Sequence, residues 1–213
     1  VSPVNSLDIF PYPANILDLD IADGDEIIAL QAKGDRILQF KRNMMYVVNI
    51  STGVASDFFV ESRNKYKGIL NKYAVCNVEQ DIFWFNENSA YLYDGEKIRD
   101  LHLRDFEDDN SQRIDNETWS DFVTSNSICQ YNPKTREVFV VKTPSSTAQR
   151  STGDAYIYNA TLDSWTIGKG AFYIGSGNAM TNLVNQGTDS KLGCLVDYHR
   201  NLSPSEDNTG EER

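Results

Sequence analysis

The sequence predicts an all-β chain, an array of about four antiparallel meanders laid one after another, and three observations predict it. The first is an internal repeat: residues 81–94, DIFWFNENSAYLYD, lie without a gap on residues 36–49, RILQFKRNMMYVVN, when the chain is slid back by 45 positions. Ile82 then falls on Ile37, Phe85 on Phe40, Asn88 on Asn43 and Tyr91 on Tyr46. The second is that EVFVV at 137–141 and AYIYN at 155–159 repeat the pattern with a longer middle. The third is the make-up of the runs, which are four to six residues long and rich in β-branched and aromatic side chains. Such residues favour a pleated, packed surface, and none of the runs reaches helical length with a 3.6-residue period. A fixed period of about 45 residues marks a repeat architecture.

IFWF and YLY do not alternate with polar residues, and a strand apolar on both faces is one covered on both faces. Residues 41–44 and 86–89 are the right length for hairpin connections.

Taken in order, residues 1–25 read as an extended lead-in, held open by Pro3, Pro11 and Pro13, with one short strand at 16–21. Asp18, Asp20, Asp23 and Asp25 around Gly24 invite a calcium reading. An EF-hand loop starting at Asp18 fails, however, because Ala22 and Ala29 fall where an acidic or amide ligand and a glutamate are needed. A turn is the better reading. Residues 26–68 form the first unit: EIIALQAKG leads into a turn at Gly34 and Asp35, RILQF and MMYVVNI make the hairpin, and STGVAS turns the chain away. Residues 69–101 form the second, with KYAVCNVEQ in the part of EIIALQAKG and a tight turn at Asp94 and Gly95 into KIRDL. Each unit offers three strands and a fourth, a meander the size of one propeller blade. Residues 102–125 are a polar, acidic insertion with room for one or two helical turns around 112–122. The third unit, 126–170, has a hairpin turned at Asn132 and Pro133, a protruding loop over 142–154, a turn at 160–164, and Trp165 packing between blades. A weaker fourth unit covers 171–199, with turn signals at Gln186, Gly187 and Gly193, and 200–213 reads as a disordered acidic tail.

With 213 residues, 40% of them apolar and 11% aromatic, the chain can bury a sizeable core as one domain or a small repeat array. Twenty basic against 31 acidic residues leave a net charge of −11, which argues against a primary nucleic-acid binder. Cys76, Cys129 and Cys194 are too few and too far apart for a disulfide framework or a metal clip, and read as buried free thiols. No stretch approaches the roughly 20 apolar residues that span a bilayer. The first residues lack the basic end and apolar centre of a signal peptide. The chain starts with Val, as a processed product or part of a longer protein would.

The only histidines, His102 and His199, have no nucleophile or metal partner nearby in sequence. No H-E-x-x-H, G-x-S-x-G, P-loop or dinucleotide fingerprint occurs. The expectation is therefore a protein without catalysis, metal or cofactor. Asn-x-Ser/Thr sites at Asn49, Asn116, Asn159 and Asn201 read as chance in an Asn-rich chain. The aromatic runs read as core, because they lack the basic neighbours of a base-stacking platform.

GDEIIALQAKGDRILQFKRNMMYVVNIS resembles the opening blade of the β-propeller proteins in the tails of short-tailed bacteriophages, the tail tubular protein B or nozzle group and the DNA-stabilisation proteins. The shared elements are Gly24 and Asp25 before Ile27 and Leu30, then Ile37, Leu38, Phe40 and Lys41, then Tyr46, Val47 and Val48. DIFWFNENSAYLYDGEKIRDL is similar to the next blade of that family, and YNPKTREVFVV with AYIYNATLDSWTI to its third. The flavour of LQFK, NIS and YLYDG is closest to the muzzle or stabilisation protein of crAss-like phages. The resemblance covers roughly residues 24–198, whereas proteins of that family are generally much longer.

The resemblance implies a β-propeller-like array, alone or as part of a larger propeller, in a non-enzymatic virion protein of the phage tail. Its partners would be copies of itself and other tail and portal proteins, in a ring that retains packaged DNA and conducts it without tight binding, away from any membrane. An acidic wall suits that passage, and Glu107, Asp108 and Asp109 of the insertion, with the loop over 142–154, are the candidate lumen or neighbour contacts. The residues alone leave open a carbohydrate-binding or glycosidase-like propeller, for which Trp165 and Tyr-rich loops would serve.

Overall fold

The computed structural model describes residues 24–54, 57–102, 116–142, 154–169, 180–184 and 190–194. The chain runs through three four-stranded antiparallel sheets, each a meander in sequence order. The first contains β1 (Ile27–Lys33), β2 (Arg36–Lys41), β3 (Met44–Asn49) and β4 (Phe59–Lys65). The second contains β5 (Val75–Val78), β6 (Asp81–Phe85), β7 (Ala90–Tyr93) and β8 (Ile98–Asp100). A short helix, α1 (Asn116–Phe122), precedes the third, which contains β9 (Ile128–Asn132), β10 (Glu137–Val141), β11 (Ala155–Asn159) and β12 (Ser164–Gly168). A hairpin of β13 (Met180–Val184) and β14 (Ser190–Cys194) follows.

The 45-residue repeat is a repeat of register. Ile37 faces Val48, Leu38 faces Val47 and Phe40 faces Met45 in the first sheet. Ile82 faces Tyr93, Phe83 faces Leu92 and Phe85 faces Ala90 in the second. The outer pairing keeps the same offset, with Leu30 opposite Gln39 and Val75 opposite Trp84. The fourth strands break it, because nine residues connect β3 to β4 and only four connect β7 to β8. The expected turns at 34–35, 86–89 and 94–95 fall between strands. Asn132 of the turn expected at 132–133, however, ends β9, and Ser164 of the one expected at 160–164 opens β12. Lys41 and Met44 of the connection expected at 41–44 belong to β2 and β3. The fourth unit shows two strands among its described residues.

The second sheet is sandwiched, which explains why its strands read apolar on both faces. Trp84 and Tyr91 stack on the face that meets Phe40 of the first sheet. Phe83, on the opposite face, lies against Tyr158 and Trp165 of the third. Trp165 thus packs between sheets, as expected. Alternation also splits the third sheet. Cys129, Tyr131, Val138, Val140, Tyr156 and Tyr158 join the main core, while Ile128, Phe139, Val141 and Ala155 form a second cluster. β9 lies beside β5 on one side and against β13 and β14 on the other. Cys76 and Cys129 are buried free thiols in the main core.

Polar clasps join neighbouring sheets. Lys33 reaches Asp81 at 3.0 Å and also donates to the Gln80 carbonyl. Glu79 pairs with Arg136 at 2.9 Å and accepts from the Tyr131 hydroxyl at 3.1 Å. Asp163 accepts from Tyr158 at 2.6 Å and faces Arg99 at 3.6 Å. The exposed pair of Glu79 and Arg136 is worth about 1 kcal/mol or less, so it sets alignment while the core supplies stability.

One glycine is dictated by close approach. Gly68 sits where the connection after β4 crosses the β2–β3 turn, and a Cβ there would overlap the carbonyl oxygens of Lys41 and Arg42. The strand expected at 16–21, the tail over 200–213, and Asp18, Asp20 and Asp23 lie outside the described residues. Asp25 accepts hydrogen bonds from the backbone N–H groups of Arg42 and Asn43 at 3.0 and 2.9 Å, so its carboxylate holds the β2–β3 turn.

Phe85 is 1% exposed and meets Trp119 edge-on. Phe85→Ala is expected to lower stability by about 3–5 kcal/mol. Ile167→Ala, at a site 52% exposed, should stay within about 0.5 kcal/mol of the parent. Urea midpoints of the two variants against the parent check both.

Candidate functional site

Glu107, Asp108 and Asp109 lie outside the described residues, as does 143–153 of the long loop. His102 and Asn116 bound the stretch that contains the three acids, and the described residues on either side of it, His102 and Trp119, meet at the second sheet.

Its centre is the turn between β6 and β7. In the sequence Asn86-Glu87-Asn88-Ser89 the first asparagine folds its side chain over its own turn, a habit of Asn in such positions. The Asn86 Oδ1 accepts from the backbone N–H of Asn88 at 2.9 Å and of Ser89 at 3.2 Å. Its Nδ2 donates to the carbonyls of Tyr66 and Gly68 at 2.9 and 3.0 Å. Its backbone carbonyl accepts from the indole Nε1 of Trp119 in α1 at 2.8 Å. One residue, 4% exposed, therefore ties together the connection from the first sheet, a turn of the second, and the helix of the insertion. Trp84 Nε1 adds a bond to the Lys67 carbonyl at 2.9 Å.

Asp100 forms a second knot beside it. Its Oδ1 accepts from the Ser89 hydroxyl and from the His102 backbone N–H, the latter at 3.0 Å. Lys67 Nζ sits 4.2 Å from the Tyr91 ring centre. Burial lowers the Lys67 pKa, against the opposing pull of Asp100. Burial, helped by the charge of Asp100, pushes the Tyr91 phenol up to about 12.

Beyond Asp100 lies an aromatic nest. The His102 ring stands edge-on to Trp119 at 4.5 Å and to Trp165 at 5.7 Å. Tyr156 lies 5.3 Å from Trp119 and 4.7 Å from Phe122. Both ring nitrogens of His102 and Nε1 of Trp165 are buried without a hydrogen-bond partner among the described residues. Desolvation therefore drives the His102 pKa down to about 4, with Asp100 opposing. The imidazole is neutral at neutral pH.

The chemistry of this arrangement is that of a joint. Ser89 is 3% exposed and donates its hydroxyl hydrogen bond to Asp100, while the only described imidazole faces indoles. Hydroxyl, imidazole and carboxylate do not line up as nucleophile, base and orienter. Among the described residues no group of three or more His, Cys, Asp or Glu could hold a metal ion. No described helix is long and apolar enough to cross a membrane. No protein-family model and no curated protein matches this chain.

Sequence reasoning missed Asn86, Gly68, Ser89, Asp100 and Trp119. A signal for two of them was present: an Asx turn motif between two apolar runs, and a lone Trp in an otherwise polar insertion. Asn49 and Asn159, read as chance glycosylation sites, use their side-chain oxygens to hold the turns that follow them.

Asn86→Ala would strand two turn N–H groups and the carbonyls of Tyr66 and Gly68. The expected loss is about 2–4 kcal/mol, measured as a fall in urea midpoint. For His102, the folded state refuses a proton that the unfolded chain accepts, since about 4 lies below the ordinary 6.5. Its contribution is full above pH 6.5 and falls as pH drops from 6.5 towards 4, by at most about 3 kcal/mol. His102→Phe should accordingly lose less stability than the parent between pH 7 and pH 4.5, in paired urea titrations.

Proposed function

We propose that this chain is a non-enzymatic structural protein of a bacteriophage tail, of the nozzle, muzzle or DNA-stabilisation kind. In this reading its meanders are blades of a β-propeller-like array, and the protein assembles with its own copies and other tail proteins in a ring. The single observation that supports it most is the succession of meanders in which the opening strand of the third, β9, lies beside that of the second, β5, and against the following hairpin of β13 and β14. Propeller blades are four-stranded sheets set around a channel, and a sheet packed on both faces, as the second one is, is what a middle blade requires. The functional part of the reading rests on the sequence elements that resemble the phage family.

The charge fits the same reading. A ring whose subunits each have a net charge of −11 surrounds DNA with a wall that repels phosphates within about 8–10 Å at physiological salt. DNA then slides without being trapped. Cyclic interfaces multiply that charge around the passage. A carbohydrate-binding propeller is the second reading, but Trp165, its best platform, is packed among Phe83, Tyr158 and Trp119.

Two measurements test the proposal. Electron microscopy of the assembled particle should place the protein in a ring on the DNA path, and duplex DNA titrated at low salt should bind no tighter than micromolar. A monomer outside any ring, or sub-micromolar duplex binding by the isolated protein, overturns it.

A further inference from the structure

The connection between the first two sheets is basic and aromatic in an acidic chain. From Ser62 to Val78 the sequence has Arg63, Lys65, Lys67 and Lys72, with Tyr66 between Lys65 and Lys67 and Tyr73 next to Lys72, and no Asp or Glu. The fold adds Arg42. The backbone N–H of Tyr66 donates to the Asn43 carbonyl at 2.7 Å and that of Ile69 to the Lys41 carbonyl at 3.0 Å, which lays the connection over the β2–β3 turn.

Each tyrosine has its backbone fixed and its ring offered to solvent. Tyr66 is 72% exposed, and its φ of 63° is a conformation that a bulky L residue rarely adopts. The Asn86 and Asn43 bonds hold it there. Tyr73 is 43% exposed. Its N–H donates to Asn71 Oδ1 at 2.7 Å and its carbonyl accepts from Cys129 N–H at 2.9 Å, while Asn71 Nδ2 donates to the carbonyls of Ser125 and Ser127. Arg42, Lys65 and Lys72 are exposed, and Lys72 Nζ lies 5.0 Å from the Tyr73 ring centre. Lys67 points inward over Tyr91 and is not part of this surface. Of the neighbouring acids, Asp25 is occupied by the turn N–H groups, and Glu87 is exposed on the next turn.

We infer that this connection is a platform for single-stranded nucleic acid, with bases stacking on Tyr66 and Tyr73 and phosphates meeting Arg42, Lys65 and Lys72. Rings presented on a rigid backbone and interleaved with cations are the features that bind unpaired strands without sequence preference. An unpaired strand engages the cations and both rings at once, each base face stacking while its phosphate meets a cation. Duplex DNA hides its base faces, so the platform does not hold a duplex. The inference stands apart from the tail-component reading, whose duplex titration has its own outcome.

The test is fluorescence anisotropy with a labelled oligothymidylate of about 20 nucleotides at low salt. Micromolar binding is expected, with log K falling against log salt at a slope of about −2 for three phosphate contacts. Lys65→Glu with Lys72→Glu should weaken it at least about tenfold. Tyr66→Asn, which keeps the left-handed backbone and removes the ring, should weaken it about tenfold, and Tyr66→Trp should not. Thermal melts confirm that each variant is folded. The inference is overturned by no anisotropy change, by Tyr66→Asn binding like the parent, or by heparin or a duplex of equal length competing equally well.

Discussion

The whole arrangement depends on satisfying one buried amide. Asn86 is enclosed where three pieces of chain meet, and a polar group in that position destabilises the fold unless each of its donors and acceptors finds a partner. The side-chain amide finds them in its own turn and in the connection over 66–68, and the backbone carbonyl of the same residue finds α1, so none of these segments can move without stranding a hydrogen bond. The connection over 66–68 is thereby pinned to the second sheet, and α1 is pinned by its indole to the same turn. Close approach of the connection to residues 41–42 then leaves no room for a side chain at Gly68. An amide in one turn thus decides a backbone position 18 residues earlier.

The second sheet shows how packing follows from that constraint. Both of its faces are apolar, so it is stable only with a sheet against each. Phe40 and Trp84 close one side, and Phe83 with Tyr158 and Trp165 closes the other. The clasps at Glu79, Arg136 and Asp163 add alignment. All three residues have positive φ, at 54°, 57° and 52°. That conformation is costly for residues with a Cβ, and it lies in tight turns whose side chains reach the adjacent sheet.

The strands were legible because their signal is local. A gapless 45-residue offset between two apolar hairpins already contains their register, since side-chain alternation and turn length together determine which residues face each other. The fourth strands were less legible: the FVESRNK of β4 alternates with polar residues and looks nothing like the three-residue β8. The joint was hardly legible at all. Nothing in Asn86 as a letter says that its Nδ2 will meet carbonyls from the preceding unit. That meeting depends on how two sheets stack, and stacking is a property of distant residues. The basic connection was hidden for a related reason. Attention to repeats leaves the segments between them as spacers, and the net charge of −11 masks a local excess of cations.

Stability and surface chemistry then rest on the same bonds. The Asn86 amide that joins the first two sheets also holds the Tyr66 carbonyl, so the tyrosine keeps a strained backbone that an isolated loop would relax. Strain of this kind persists only where the surroundings over-determine it. Here they do: Asn43 takes the Tyr66 N–H, Asn86 takes its carbonyl, and Gly68 lets the chain pass close beneath. The ring is left largely exposed, on a backbone bonded to the turn that contains Arg42. A side chain with no role in the core, on a backbone fixed by several hydrogen bonds, loses little conformational freedom when it meets a ligand, and that favours binding.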